Sequence, residues 1–165
     1  MAAPDREVYV MVGDGSWLMM SSEIVTSIQE QVKLTIVLID NHGFASIGGL
    51  SESVGSGGFG TEALYRGEDG TLSGGRLPVD FAANAASLGA EAIEVKNISE
   101  LREALEQARQ NSTTTVIKIE TDREVRVPSY ESWWDVPIAE VSSSVSVSKA
   151  REDFEKQLMA ERHHL

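Results

Sequence analysis

The stretch Glu7-Val-Tyr-Val-Met-Val12 runs without a break into Gly13-Asp-Gly-Ser16, and about 25 residues later Leu34-Thr-Ile-Val-Leu-Ile39 runs into Asp40-Asn-His-Gly43. Both apolar runs are rich in β-branched residues and read as strands. Between them Met20, Ile24, Val25, Ile28 and Val32 recur at helical spacing. Ser21 or Ser22 is placed to cap that helix, and Glu23 suits its first turn. Strand, helix and strand in so short a span make a βαβ unit, whose crossover is right-handed. The second strand is apolar almost throughout instead of alternating, as in a parallel strand covered on both faces. A chain that opens this way is committed to a parallel sheet between two layers of helices.

The rest of the chain continues the alternation. Regularity is lost from Gly43 to Pro78, where 11 of the 14 glycines fall. A loop of that length inside a domain is either a lid over a site or a solvated, mobile segment. Val79 to Leu88 is helical in pattern, with Phe81, Ala82, Ala85, Ala86 and Leu88 apolar and Gly89 as its stop. Ala92 to Val95 is a short strand, Ser99 begins another helix, and Thr114 to Glu120 is a further strand. Val127 to Val141 is irregular and holds Tyr130, Trp133, Trp134 and Pro137. Ser146 to Arg162 is a polar helix anchored by Phe154, Leu158 and Met159. The order predicts an α/β fold, a doubly wound, mostly parallel sheet with helices on both faces. Residues 1–143 form that domain and residues 144–165 a C-terminal helix. The first strand reads as central and buried, so the domain is expected to be partial, truncated at its N-terminus. Its bare edge would then invite self-association.

Charge narrows the function. Lys and Arg number 14 against 26 Asp and Glu, for a net charge of −12. That balance argues against a nucleic-acid partner, which requires a basic face. No apolar run approaches the roughly 20 residues needed to span a bilayer, so no membrane partner is expected. The first residues, MAAPDREVYV, lack the features of a signal peptide, and a cytoplasmic location is the default expectation. With no cysteine, thiolate metal sites are excluded. An acidic protein that binds an anion must draw positive charge from elsewhere, and a divalent cation or helix-end amides can supply it.

Asp14 and Asn41 stand just past the ends of the two strands of the βαβ unit. Such ends share one edge of the sheet, where open α/β sheets bind ligands. An aspartate carboxylate and an asparagine carbonyl are hard oxygen ligands, and a backbone carbonyl near Gly43 can add a third. With diphosphate oxygens and water they complete the shell that magnesium requires. Gly13 and Gly15 would let backbone amides approach phosphate. Two other readings stand beside this one. Asp14 is also an ordinary turn residue between glycines. Gly13-x-Gly15 after a strand, with Asp40 closing the next, also fits a Rossmann NAD site, although Leu18 holds the third glycine position. A Walker-type phosphate loop is absent.

Gly13-Asp14-Gly15-Ser16 followed at this distance by Asp40-Asn41 resembles the motif of thiamine diphosphate enzymes, a Gly-Asp-Gly and a later Asn-Asn. Here Asp40 replaces the first Asn. Asp80-Phe-Ala-Ala-Asn-Ala-Ala-Ser-Leu-Gly89 resembles the helix after the cofactor loop in acetolactate synthase-like and pyruvate decarboxylase-like members. The resemblance extends to about residue 125. It implies that Asp14, Asn41 and the Gly43 carbonyl bind magnesium (calcium or manganese as substitutes), while Gly15 and Ser16 contact the diphosphate. Beside Gly13, already read as a phosphate-approach glycine, Phe44 through Ser46 would pass near the diphosphate, with the Ser46 hydroxyl as a donor. Within the family, Asp5 to Ser16 and Tyr130-Glu-Ser-Trp-Trp-Asp-Val-Pro-Ile-Ala-Glu-Val-Ser142 resemble the trihydroxycyclohexane-dione hydrolases of myo-inositol catabolism, which open a cyclic diketone at a carbon–carbon bond. The implied substrate is a small carbonyl compound. In the family the activating Glu lies on a separate domain, usually of a neighbouring subunit. This resemblance therefore implies upstream domains of the same enzyme, a homo-oligomer, no catalytic residue within this chain, and no activity for it alone.

Other residues carry less. His42, beside Asn41, is either structural or in contact with substrate or cofactor. Trp17 reads as core. Trp133 and Trp134 either line a pocket or pack at an interface. His163, His164 and the charged run Arg151 to Lys156 carry no assigned role.

Overall fold

The computed structural model describes residues 6–125 and 136–161. Tyr130, Trp133, Trp134, His163 and His164 lie outside the described residues. The element order is β1 (Tyr9–Gly13), α1 (Asp14–Met20), α2 (Glu23–Gln29), β2 (Thr35–Asp40), α3 (Ala45–Ser53), α4 (Phe81–Ser87), β3 (Glu91–Val95), α5 (Ile98–Gln110), β4 (Thr115–Glu120) and α6 (Val145–Ala160). Four strands pair in the order β1-β2-β4-β3, all parallel. This is the expected α/β sheet with helices on both faces.

Strand alternation explains the two layers. Ile36 and Leu38 of β2 and Val116 of β4 face one cluster, built with Trp17, Ile24, Phe81 and Ala85 from α1, α2 and α4. The intervening Val37, Ile39, Ile117 and Ile119 face a second cluster under α5, with Ala104 and Ala108. Burial on both faces is why β2 reads as an unbroken apolar run. On the first face the stripe turns polar at its C-terminal end. Ile36 and Leu38 lead to Asp40, and Val116 leads to Lys118 and Glu120. Leu38 is fully buried at the centre. Leu38→Ala is expected to cost about 2–5 kcal/mol, measured by urea unfolding with an unchanged slope.

Several expectations are corrected. The first crossover is two helices, and the first begins at Asp14, so Gly13-Asp-Gly-Ser16 is a strand-to-helix junction instead of a loop. Tight bonds from Ile24 N–H to Ser21 O (3.1 Å) and Val25 N–H to Ser22 O (3.0 Å) separate the two helices. The break moves Met20 and Val25 off the buried face, and both are exposed. The segment from Gly43 to Pro78 is not wholly irregular, since α3 opens it and isolated bridges Gly43–Glu62 and Leu64–Arg76 tie it down. β1 is an edge strand of the described sheet, not a central one, with Tyr9, Val10 and Met11 exposed. The helix expected from Ser99 starts one residue earlier. Its cap is Asn97, which accepts from Glu100 N–H at 3.0 Å. Gly89 does stop α4, at a φ of +99°.

Candidate functional site

The junctions after β1 and β2 meet because the two strands pair with Gly13 opposite Ile39. Gly13 is the extended N-cap of α1, and Asp14 is its first residue. A carboxylate there is favoured by the helix N-terminus, and Asp14 is only 2% exposed. After Asp40 the chain turns through Asn41, His42 at φ +62° and Gly43 at φ +139°. This turn brings Gly43 N–H onto Asp14 Oδ2 at 2.5 Å. One end of the Asn41 amide lies 2.9 Å from Gly43 O and 3.1 Å from Asp14 Oδ1. With nitrogen at that end, the amide donates to both. With oxygen there, the amide faces two further oxygens, an arrangement in which a cation could be shared. Among the described residues no three His, Cys, Asp or Glu side chains gather as a metal site. The candidate donor set is therefore one carboxylate, one amide and one backbone carbonyl.

A second segment buttresses the turn. Phe44 N–H donates to Thr61 O at 2.7 Å, and Ala63 N–H donates to His42 O at 3.0 Å. The backbones approach so closely that a Cβ at Gly43 would stand 2.3 Å from Thr61 O.

Burial raises the pKa of Asp14 above the ordinary carboxylate value. Hydrogen bonds from the backbones of Gly43, Asn41 and Gly15 oppose that rise, and the nearby Asp40 adds to it. Burial is thus the cost of keeping a carboxylate at this junction, and the three backbone N–H groups offset part of it. A cleft of about 250 Å³ opens beside it, lined by Asp14, Gly15, Gly43, Arg76, Phe81 and Lys118 among others. Lys118 pairs with Asp40 Oδ2 at 3.3 Å and Glu94 Oε1 at 3.0 Å. Burial opposes its charge, yet these partners hold its pKa above the usual lysine value. His42 Nε2 lies 2.7 Å from Glu120 Oε1, and this contact, more than Glu120's slight burial, sets the lowered pKa of Glu120.

The structure brings Asp14, Gly15, Asn41 and Gly43 together. Gly13 adjoins them, and a Cβ there would meet nothing within 4 Å. Gly15 has a packing reason to be glycine as well, because a Cβ there would stand 2.7 Å from the Phe44 ring. Ser16 is exposed on α1, and Ser46 is exposed in the first turn of α3, outside the cleft lining. Trp17 is core as expected, with Nε1–H donating to Asn84 Oδ1 at 2.8 Å. Lys118 and Arg76 belong to no motif. The one signal for Lys118 is a lone lysine inside the apolar strand Thr115-Val-Ile-Lys-Ile119.

The family described as "Thiamine pyrophosphate enzyme, C-terminal TPP binding domain" matches residues 1–119. The chain is 46% identical over 164 residues to 3D-(3,5/4)-trihydroxycyclohexane-1,2-dione hydrolase of Clostridium perfringens, covering 99% of this chain and 26% of that protein. It is 45% identical over 153 residues to the hydrolase 2 of that name from Bacillus cereus, covering 92% and 24%. The chain thus spans about a quarter of the length of the curated relatives it matches. Among solved structures, the thiamine diphosphate-dependent 4-hydroxybenzoylformate decarboxylase of Rhodococcus jostii RHA1 aligns with a TM-score of 0.59 at 22% identity, over 73% of this chain and 21% of that one. Benzoylformate decarboxylase of Polynucleobacter necessarius aligns at 0.58 and 23%, over 76% and 21%. At that identity these two speak for the fold.

Proposed function

The chain belongs to the thiamine pyrophosphate enzymes through their C-terminal TPP-binding domain, and from that premise we propose that it anchors the diphosphate of thiamine diphosphate through a magnesium ion held by Asp14, Asn41 and Gly43. The observation that carries this reading is the convergence of Asp14 Oδ1, the Asn41 amide and Gly43 O at 2.9 and 3.1 Å. An octahedral magnesium bound at roughly 2.0–2.1 Å sets adjacent ligands about 2.9 Å apart, a spacing this donor set matches. The Gly43 N–H bond to Asp14 Oδ2 leaves Oδ1 directed at the shared point.

Gly13 and the first turn of α1 would face the diphosphate. Because no atom blocks a Cβ at Gly13 and its φ is −79°, Gly13→Ala is expected to fold with unchanged thermal midpoint. Any loss of thiamine diphosphate affinity then reports contact with the ligand itself; about tenfold is expected, read by titration calorimetry. The Rossmann reading is weaker. Asp40, its ribose-binding acid, is 3% exposed and already engaged by Lys118 and the His42 N–H.

The thiazolium, when bound, supplies an electron sink for breaking a carbon–carbon bond next to a carbonyl. The identity to the hydrolases over nearly the whole chain supports ring-opening hydrolysis of a trihydroxycyclohexane-dione as the activity of the longer enzyme, with acetolactate synthase-like chemistry as the alternative. The activating Glu and the other subunit surfaces belong, on this proposal, to further domains of a cytoplasmic homo-oligomer. The test is turnover by the full-length protein with thiamine diphosphate and magnesium. Consumption of the cyclic dione, with none of pyruvate, is expected; pyruvate condensation without dione hydrolysis would reverse the choice.

A further inference from the structure

Arg123 sits on the turn just beyond β4 and is 8% exposed. Burying a guanidinium is costly unless it is paired and hydrogen-bonded. Its Nη1 lies 3.2 Å from Glu62 Oε2, an ion pair without a well-directed hydrogen bond among the described residues. A Cβ at Gly48 would stand 2.8 Å from Thr61 Oγ1 and 3.0 Å from Arg123 Nη2. Glycine at that position lets α3 rest directly on both. The cation is thus wedged between α3 and the Thr61–Glu62 segment. That segment supplies Thr61 O to Phe44 and takes His42 O through Ala63, one backbone bond on each side of Gly43.

We propose that Arg123 is a positioning residue for the metal-binding turn: it holds Glu62, and through the 61–63 segment keeps the Gly43 carbonyl in register with Asp14 and Asn41. This rests on the magnesium-site reading. The clamp matters because magnesium tolerates little departure from octahedral geometry, and small displacements of a ligand are expensive.

The test uses the purified protein and Arg123→Met, with amide hydrogen exchange read without cofactor and magnesium titrated into thiamine diphosphate binding. The expected result is about tenfold less protection at Phe44 and Ala63 with the β2 and β4 amides unchanged, together with an apparent magnesium constant about tenfold weaker. Arg123→Lys, which keeps the charge but not the fork, is expected to recover part of both. If Arg123→Met does not fold, Glu62→Gln removes the carboxylate on the 61–63 segment while leaving the Arg123–Glu124 pair, and must show the same local loss. Protection lost evenly across the sheet, or unchanged at the turn, overturns the proposal, as does a normal magnesium constant where Asp14→Ala abolishes binding. Wild-type protein that binds thiamine diphosphate indifferently to magnesium overturns the site reading instead, whatever the exchange shows.

Discussion

Gly43→Ala is expected to lose magnesium-dependent thiamine diphosphate binding by at least about 100-fold, and to unfold several degrees earlier. The added Cβ would stand 2.3 Å from Thr61 O and 3.0 Å from Glu62 Cα, both backbone atoms that cannot swing aside, at a φ of +139°. Backbone strain of about 1–3 kcal/mol and overpacking of about 1–3 kcal/mol are both relieved if the turn moves away from the 61–63 segment. The Gly43 carbonyl then leaves the donor set. Gly43 belongs to neither core cluster, so circular dichroism should remain that of a folded α/β protein. Calorimetry with and without magnesium reads the loss. Affinity within about threefold of wild type would mean that the turn holds no ligand.

Asp14→Ala carries the second large effect, with the opposite balance between fold and ligand. It removes the one anionic group among the three donors, and magnesium bound through neutral oxygens alone is weak. Binding that responds to magnesium should disappear. Stability should change by only about 1–3 kcal/mol, because Gly43 N–H loses its acceptor while an undercompensated buried carboxylate is also removed. Asp14→Asn keeps an acceptor for Gly43 and should recover the thermal midpoint without recovering the metal. Asn recovering both would show that the carboxylate charge has no part in the site.

The legibility of this site follows from where its signals lie. Asp14 and Asn41 could be placed together from sequence because a βαβ unit fixes which strand ends share an edge, and β1 pairs with β2 as that logic requires. The inner strands were legible for a related reason: burial on both faces leaves an unbroken apolar run at the centre of β2, and β-branched residues predominate in β4. The edge position of β1 was not, since Tyr9 to Met11 are apolar whether covered or bare, and only pairing order decides. The break at Ser21–Ser22 was also hidden, because tightened hydrogen bonds leave no mark on the apolar spacing. The role of Gly15 escaped because the group it accommodates, Phe44, is 29 positions away and no periodicity links them. Arg123 escaped likewise. In sequence it is one charge in the acidic stretch Glu120-Thr-Asp-Arg-Glu124, and only the fold of the 43–63 segment over it gives it work.

The most direct measurement is calorimetric titration of thiamine diphosphate into the purified full-length protein, first with magnesium and then with excess chelator, with NAD as the comparison ligand. Saturable thiamine diphosphate binding that chelator abolishes, and no heat from NAD, is the predicted result. NAD binding that survives chelator, with thiamine diphosphate silent under both conditions, would contradict the assignment of Asp14, Asn41 and Gly43 as a metal-bridged diphosphate anchor.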